Sequence, residues 1–244
     1  MELDYNSIDF GKKILNKPVD ITVLGSFNHM DFLTEYLSIT DSLRGKVKIE
    51  LSINGGWEQL IRNGKISLED CRLYTSTLGD PITKIDGKGT LKQNILNIDQ
   101  FQCIKSRNKS GVKNLFVNGN IDLTQFFNPN YDLLISGENL FFKSLTNDME
   151  GDVNIDLNIA GRDTVSIVGS ILLNDLILFK EFNTSVTIGK KPENEESSLF
   201  YYDIDFPIKE SISLVNSQID AKLSGELHYT KWGENTADYS GELF

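Results

Sequence analysis

The sequence predicts an all-β protein, an extended and mostly antiparallel sheet with one short helix near its N-terminus. Three observations lead there. Residues Gly151–Gly161 read G-D-V-N-I-D-L-N-I-A-G, so Val153, Ile155, Leu157 and Ile159 alternate with Asp152, Asn154, Asp156 and Asn158. A strict period of two marks a strand with one apolar and one wetted face. The same phrase stands earlier as Gly45–Gly55, G-K-V-K-I-E-L-S-I-N-G, where Val47, Ile49, Leu51 and Ile53 keep the apolar positions and the polar ones differ. Its sequel repeats too: Gly64-x-Ile66-x-Leu68 answers to Gly169-x-Ile171-x-Leu173, and Asp70-Cys71 to Asp175-Leu176. An internal repeat of strand–turn–strand units follows. Finally, strand patterns recur every ~8–12 residues with no helical pattern between them, which excludes a parallel α/β sheet. A sandwich, a closed barrel and an extended sheet that curls on itself remain.

Residues 1–44 form a leading segment. Ile21–Leu24 reads as a short strand ending at Gly25. Asn28 is placed to cap a short helix that sets Phe32, Leu33, Tyr36 and Leu37 on one face. Residues 45–244 read as one continuous repeat region. Gly55-Gly56, Asn63-Gly64 and Asp86-Gly87 are turn signals, and the phase change between Leu68 and Cys71 predicts a bulge. Leu91 to Ile104 fills two short strands, and Leu115 to Leu123 a third with Gly119 inside it. Leu123–Tyr131, with Phe126, Phe127 and Pro129, breaks the rhythm and reads as a longer connection. After Val165–Leu178, the charged run Gly189–Ser198 reads as a solvated hairpin loop. Phe200, Tyr202, Ile204 and Phe206 resume the alternation, and Ile219 to Tyr229 closes the clear strands.

Composition narrows the partners. A net charge of −11, with Lys and Arg dispersed, makes a poor polyanion ligand and argues against nucleic acid. No run approaches the ~20 apolar residues that span a bilayer as a helix. Cys71 and Cys103 both sit in strand-like runs and read as buried small hydrophobes.

The search for chemistry returns little. His29 and His228 have no second ligand at a metal-binding spacing. No nucleophile elbow, phosphate loop or dinucleotide fingerprint occurs. Glu50, Asp152, Asp156, Asp203 and Asp205 occupy the polar phase of alternating strands, where charge protects sheet surfaces from aggregation. The reading is of a non-enzyme without catalytic residues, metal or cofactor.

The phrase L-x-G-x-V-x-I-x-L-x-I-x-G at Leu43–Gly55, G-x-I-x-L at Gly64–Leu68 and V-x-G-x-I-x-L at Val117–Leu123 carry a resemblance, as do the second phrase at Gly151–Gly161 and G-x-I-x-L at Gly169–Leu173. In this order and spacing they resemble the repeat region of the TamB (translocation and assembly module) family, and more broadly the AsmA-like bridge-type lipid carriers. The resemblance covers most of the chain from Phe32. It implies a sheet folded into a taco-like, U-shaped trough with an apolar concave face. It also implies a periplasmic location in a diderm bacterium, with a parent protein anchored in the inner membrane by a segment outside this chain. The implied roles are phospholipid transport and outer-membrane protein assembly with an Omp85-family barrel partner.

Physics points the same way. A sheet that alternates apolar-in and polar-out must hide one face, and this chain has too little helix to cover it. Roughly fifteen strands at ~4.8 Å would make a trough of about 70 Å. Acyl chains gain ~0.8 kcal/mol per buried CH₂ in such a groove. The residues expected to line it are Val47, Ile49, Leu51, Ile53, Val153, Ile155, Leu157, Ile159, Phe200, Tyr202, Ile204 and Phe206. The competing expectation is a β-sandwich or solenoid module of a cell-surface adhesin that binds ligands through its loops.

Overall fold

The computed structural model describes residues 18–29, 40–56, 59–75, 78–106, 111–144, 148–179, 199–215, 220–233 and 235–244. Of these, 84% are strand and none is helical. The strands are β1 (Val19–His29), β2 (Thr40–Gly56), β3 (Gln59–Thr75), β4 (Ile82–Lys92), β5 (Ile95–Ile104) and β6 (Leu115–Asp122), followed by β7 (Asn130–Lys143), β8 (Met149–Gly161), β9 (Thr164–Leu178), β10 (Leu199–Val215), β11 (Asp220–Trp232) and β12 (Asp238–Leu243). Among the described residues they form one sheet in sequence order, with β1 and β12 outermost. The architecture is therefore a single long sheet of twelve strands and not a two-sheet sandwich.

Ten of the eleven neighbour pairs are antiparallel; β9 and β10 run parallel, with Phe200 beside Val165 and Leu214 beside Leu178. The parallel pairing excludes a tight hairpin that joins β9 directly to β10; Gly189–Ser198, expected as a solvated hairpin loop, lie outside the described residues. Two expected turns are also strand interior. Asn63-Gly64 pairs with Ser52 and Leu51, and Asp86-Gly87 pairs with Gln102 and Phe101. The strand at Ile21–Leu24 extends over Val19–His29, so Asn28 ends a strand instead of capping a helix. Residues 30–39 of the expected helix lie outside the described ones.

Why Gly64 is glycine is visible in the packing. A Cβ there would overlap the carbonyl oxygen of Glu50, and one on Gly169 (φ +145°) would overlap that of Asp156. The neighbouring backbone crosses too close for any side chain, which a strand tolerates only at glycine. The repeat read from the sequence is thus a repeat of geometry. It is also longer than the sequence reading made it: Val19, Ile21, Val23 and Gly25 pair with Gly55, Ile53, Leu51 and Ile49. Tyr131, Leu133, Ile135 and Gly137 pair with Gly161, Ile159, Leu157 and Ile155 in the same way. Strands β1–β2–β3 correspond to β7–β8–β9.

The two halves of the strands differ. Register shifts interrupt Phe27/His29, Arg44/Lys46, Leu68/Cys71, Thr83/Asp86, Gly137/Leu140, Glu150/Asp152 and Ile208/Ile212. All fall toward the ends marked by Thr40, Thr75, Ile82 and Lys143, here called the bulged half. The shift expected between Leu68 and Cys71 is among them. Asp70, Lys84, Asn139 and Asp175 take left-handed φ of 45–52° in this half, as extra residues in a ladder do. Each bulge bends its strand and sharpens its twist. In the other, straight half the pairing is regular apart from one shift around Asp99 of β5, between Lys88/Gly89 and Ile98/Phe101, and Gln93-Asn94 (φ 48° and 70°) closes β4–β5 as a two-residue turn with both φ positive.

Candidate functional site

The site candidate is a face, built row by row across the sheet. Following partners from strand to strand, Phe27, Val47, Leu68, Gly87, Phe101 and Val117 lead into Ile135, Leu157, Gly169, Ile204, Tyr229 and Tyr239. One row thus crosses all twelve strands without a charged residue. At ~4.8 Å per step it is about 50 Å long. The next row runs Gly25, Ile49, Ile66, Gly89, Ile98, Gly119, Leu133, Ile159, Ile167 and Tyr202.

The residues expected to line a groove share this face. Val47, Ile49, Leu51 and Ile53 lie on β2, and Val153, Ile155, Leu157 and Ile159 on β8. Phe200, Tyr202, Ile204 and Phe206 lie on β10. Their burial separates them. Val47 and Ile204 are buried, Phe200 is exposed, and the others are half-buried. The sequence reading missed the contributions of β3 to β7, β9 and β11, although the signal was the same alternation: Ile66, Leu68, Phe101, Val117, Ile135, Ile171 and Leu227 occupy the same apolar phase. Bulges in β3, β4, β5, β7 and β9 break the period within a short window and hide it.

On the bulged half the side chains of neighbouring strands bury one another. Val47, Cys71, Ile85 and Cys103 form one buried cluster, with Leu43, Leu73, Ile82, Phe101 and Leu115 packed on it. Leu176, Ile208 and Ile212 form a second, with Met149, Leu178 and Leu223 around them. Over the short β5–β6 pair, Leu78 bridges to Ser144. Phe141 donates its N–H to the Lys105 carbonyl at 2.8 Å. Lys105 is buried, and its Nζ donates to the Asp80 carbonyl at 2.8 Å; burial holds its pKa below the ordinary value. Burial likewise pushes the Cys103 thiol up to about 12 and raises that of Cys71. Both cysteines are free and buried. Ile85 on β4 pairs with Cys71 and separates it from β5, which carries Cys103. Two strand steps, about 10 Å, exceed the reach of a disulfide. These thiols are core, not nucleophiles.

On the straight half the apolar side chains keep exposed surface. Toward β12 the face turns aromatic: Phe200 and Tyr202 (6.2 Å between centroids), Tyr202 and Tyr229 (6.1 Å) and Tyr229 and Tyr239 (5.3 Å) form a chain of ring contacts. Arg62 is the polar exception on β3. Its guanidinium lies 5.3 Å from the centre of the Phe126 ring and donates to the Asn94 side chain and the Leu123 carbonyl, a stacked and hydrogen-bonded setting that suits arginine.

The opposite face is mainly polar, with Leu24, Phe116, Leu134 and Val168 exposed among its charges. Lys46 meets Glu69 at 2.7 Å, Lys84 meets Asp70 at 2.8 Å, and Lys113 meets Asp86 at 2.7 Å and donates to the Lys84 carbonyl. His228 sits between Asp205 (Nδ1, 2.7 Å) and Asp203 (Nε2, 3.6 Å). Among the described residues no group of three His, Cys, Asp or Glu is arranged to hold a metal ion. No family model, curated protein or solved structure matches the chain.

Proposed function

We propose that the chain is a non-enzymatic segment of a TamB-like periplasmic bridge, carrying phospholipid acyl chains along its apolar face between the inner and outer membranes. In this reading the sheet curls into a taco-like trough with that face inside. An Omp85-family barrel is the outer-membrane partner, and support of outer-membrane protein assembly is the companion role. The observation that carries the reading is the row from Phe27 to Tyr239. An apolar path crosses every described strand without interruption, and beyond it on the straight half Ile49, Leu51, Ile53 and Ile159 are only half covered. A protein that needed the face only as a core would bury it throughout. The line of bulges through β1 to β4 and β7 to β10 supports the curl, because bending neighbouring strands at one level creases a sheet along its stacking direction. The face is smooth and offers no charged cluster to fix a headgroup, which suits sliding cargo better than a selective pocket.

The test is whether lipid accompanies the protein. Chain purified from a diderm host in mild detergent is extracted with organic solvent, and phospholipid per protein is measured by mass spectrometry. Near-stoichiometric phospholipid is expected, falling several-fold in Leu157→Asp and unchanged in Asp156→Leu on the opposite face. Phospholipid at the level of an unrelated control protein would overturn the reading.

A further inference from the structure

Arg62 is out of place on the apolar face. On β3 it shares the phase of Gly64, Ile66 and Leu68, and its partner on β2 is Ile53. It stands near the straight end of the strand, one row beyond Leu51, Gly64 and Leu91. Traced from strand to strand among the described residues, the apolar phase of the straight half holds one other cation, Lys231 beside Tyr202, and no carboxylate. The whole chain carries 35 acidic residues and a net charge of −11, so the lack of a counter-ion here is a matter of placement.

The fixed contacts of Arg62 use one side of its guanidinium. Nη1 donates to Asn94 Oδ1 and to the Leu123 carbonyl, each at 3.2 Å. The group lies 5.3 Å from the centre of the Phe126 ring. Asn94 is itself tied to β3. Its Oδ1 accepts from the Arg62 N–H at 2.8 Å, its side-chain amide donates to the Leu60 carbonyl at 3.0 Å, and its own N–H donates to the Arg62 carbonyl at 3.0 Å. The guanidinium is therefore held in place before any ligand arrives. Nη2 and Nε carry the other N–H groups of the fork, and among the described residues these have no partner. Clamping the β6–β7 connection to β3 needs Nη1 alone. A half-buried cation without a counter-ion costs stability, and the unused side of the fork matches two oxygens of a phosphate.

We propose, on the lipid-carrying reading above, that Arg62 anchors a phosphate group and that its bearer is a phospholipid lying parallel to the strands. The headgroup sits at the straight end, and the acyl chains run over the apolar face toward the bulged half. Leu68, which packs on the buried cluster of Val47 and Cys71, stands six residues along β3 from Arg62, roughly 20 Å of strand. An acyl chain occupies half of a ~30 Å hydrocarbon core, about 15 Å. The straight half is thus long enough for one chain, and the sealed cluster limits its depth. A single guanidinium at the rim holds a headgroup without enclosing it, so lipid still passes from strand to strand.

The experiment titrates the full chain in a calorimeter with three probes. Dodecyl phosphate and dodecyl maltoside, both below their micelle concentrations, share a tail and differ in the head; inorganic phosphate has no tail. Wild type is expected to bind dodecyl phosphate about tenfold more tightly than dodecyl maltoside, and inorganic phosphate more weakly than either. Non-specific electrostatics would favour the uncharged head, because the chain is acidic. In Arg62→Met the ratio between the two detergents should fall to about one. Arg62→Lys keeps a charge without the fork and should give a ratio in between. Equal affinities in wild type, a preference that survives in Arg62→Met, or a wild-type ratio in Arg62→Lys would overturn the anchor and leave the apolar face as a carrier of chains. Inorganic phosphate binding that depends on Arg62, with no binding of either detergent, would uphold the anchor and overturn the lipid as its ligand together with the lipid-carrying reading. Binding of none of the three would overturn both.

Discussion

The bulged half and the straight half share the same strands, the same alternation and the same apolar face, yet one is a core and the other a surface. The difference lies in single residues. Gly45 and Gly151 stand at the register shifts of β2 and β8, and Asp70 and Asp175 hold the left-handed turns opposite them in β3 and β9. Where the ladder takes an extra residue, the strand bends and neighbouring side chains meet, so Val47, Cys71, Ile85 and Cys103 disappear from solvent. Where the ladder is regular, Ile49, Leu51, Ile53 and Ile159 stay half covered. A repeat can thus hold its own fold with half of each strand and leave the other half partly exposed.

The contrast can be broken most severely at a glycine. Gly169→Val puts a branched side chain at φ +145° against the Asp156 carbonyl, with an expected loss above about 3 kcal/mol in urea unfolding. A smaller and more discriminating pair compares isoleucines. Ile85→Ala on the bulged half should cost about 3 kcal/mol by opening a cavity. Ile159→Ala on the straight half should cost about 1 kcal/mol, because less of its surface is removed from water. Equal costs would erase the distinction between the halves.

The smallest expected effect is on the polar face beside the bulges. The Asp70 N–H, followed by Lys113 and Lys84, holds the Asp86 carboxyl below its ordinary pKa of 3.8. A group with a lowered folded pKa stabilises above its unfolded pKa, and the contribution is lost as pH falls through the folded value. Stability should therefore drop below about pH 4, and Asp86→Asn should flatten that part of the profile. The carboxylate is partly solvated, so the change should stay under about 1 kcal/mol. Unfolding curves between pH 2 and 6 measure it.

Much of the fold was legible because alternation is a local signal. The phrases at Gly45–Gly55 and Gly151–Gly161 fixed strands, faces and repeat together. What escaped were features decided by the neighbouring strand. Gly64 and Gly87 resemble turn residues in sequence, yet they lie inside strands because of what packs across from them. The parallel placement of β10 beside β9 depends on the whole length of the connection, and a charged run within it looks like any exposed hairpin. The equivalence of β1 with β7 was hidden because only Asp20 and Asp132, Gly25 and Gly137 and an apolar phase are shared. For the candidate site, the twelve residues were found on one face, but which of them are sealed depends on the bulges, and only Leu68–Cys71 was visible as one.

The central claim is that the apolar face is accessible to lipid along the straight half. Photoreactive residues at Leu51 and Ile159, on strands six apart, and at Asn158 and the exposed Val168 on the opposite face test it in cells. Cross-linked phospholipid at Leu51 and Ile159, with background at Asn158 and Val168, is the predicted result. Background at all four positions, or equal labelling on both faces, would contradict it.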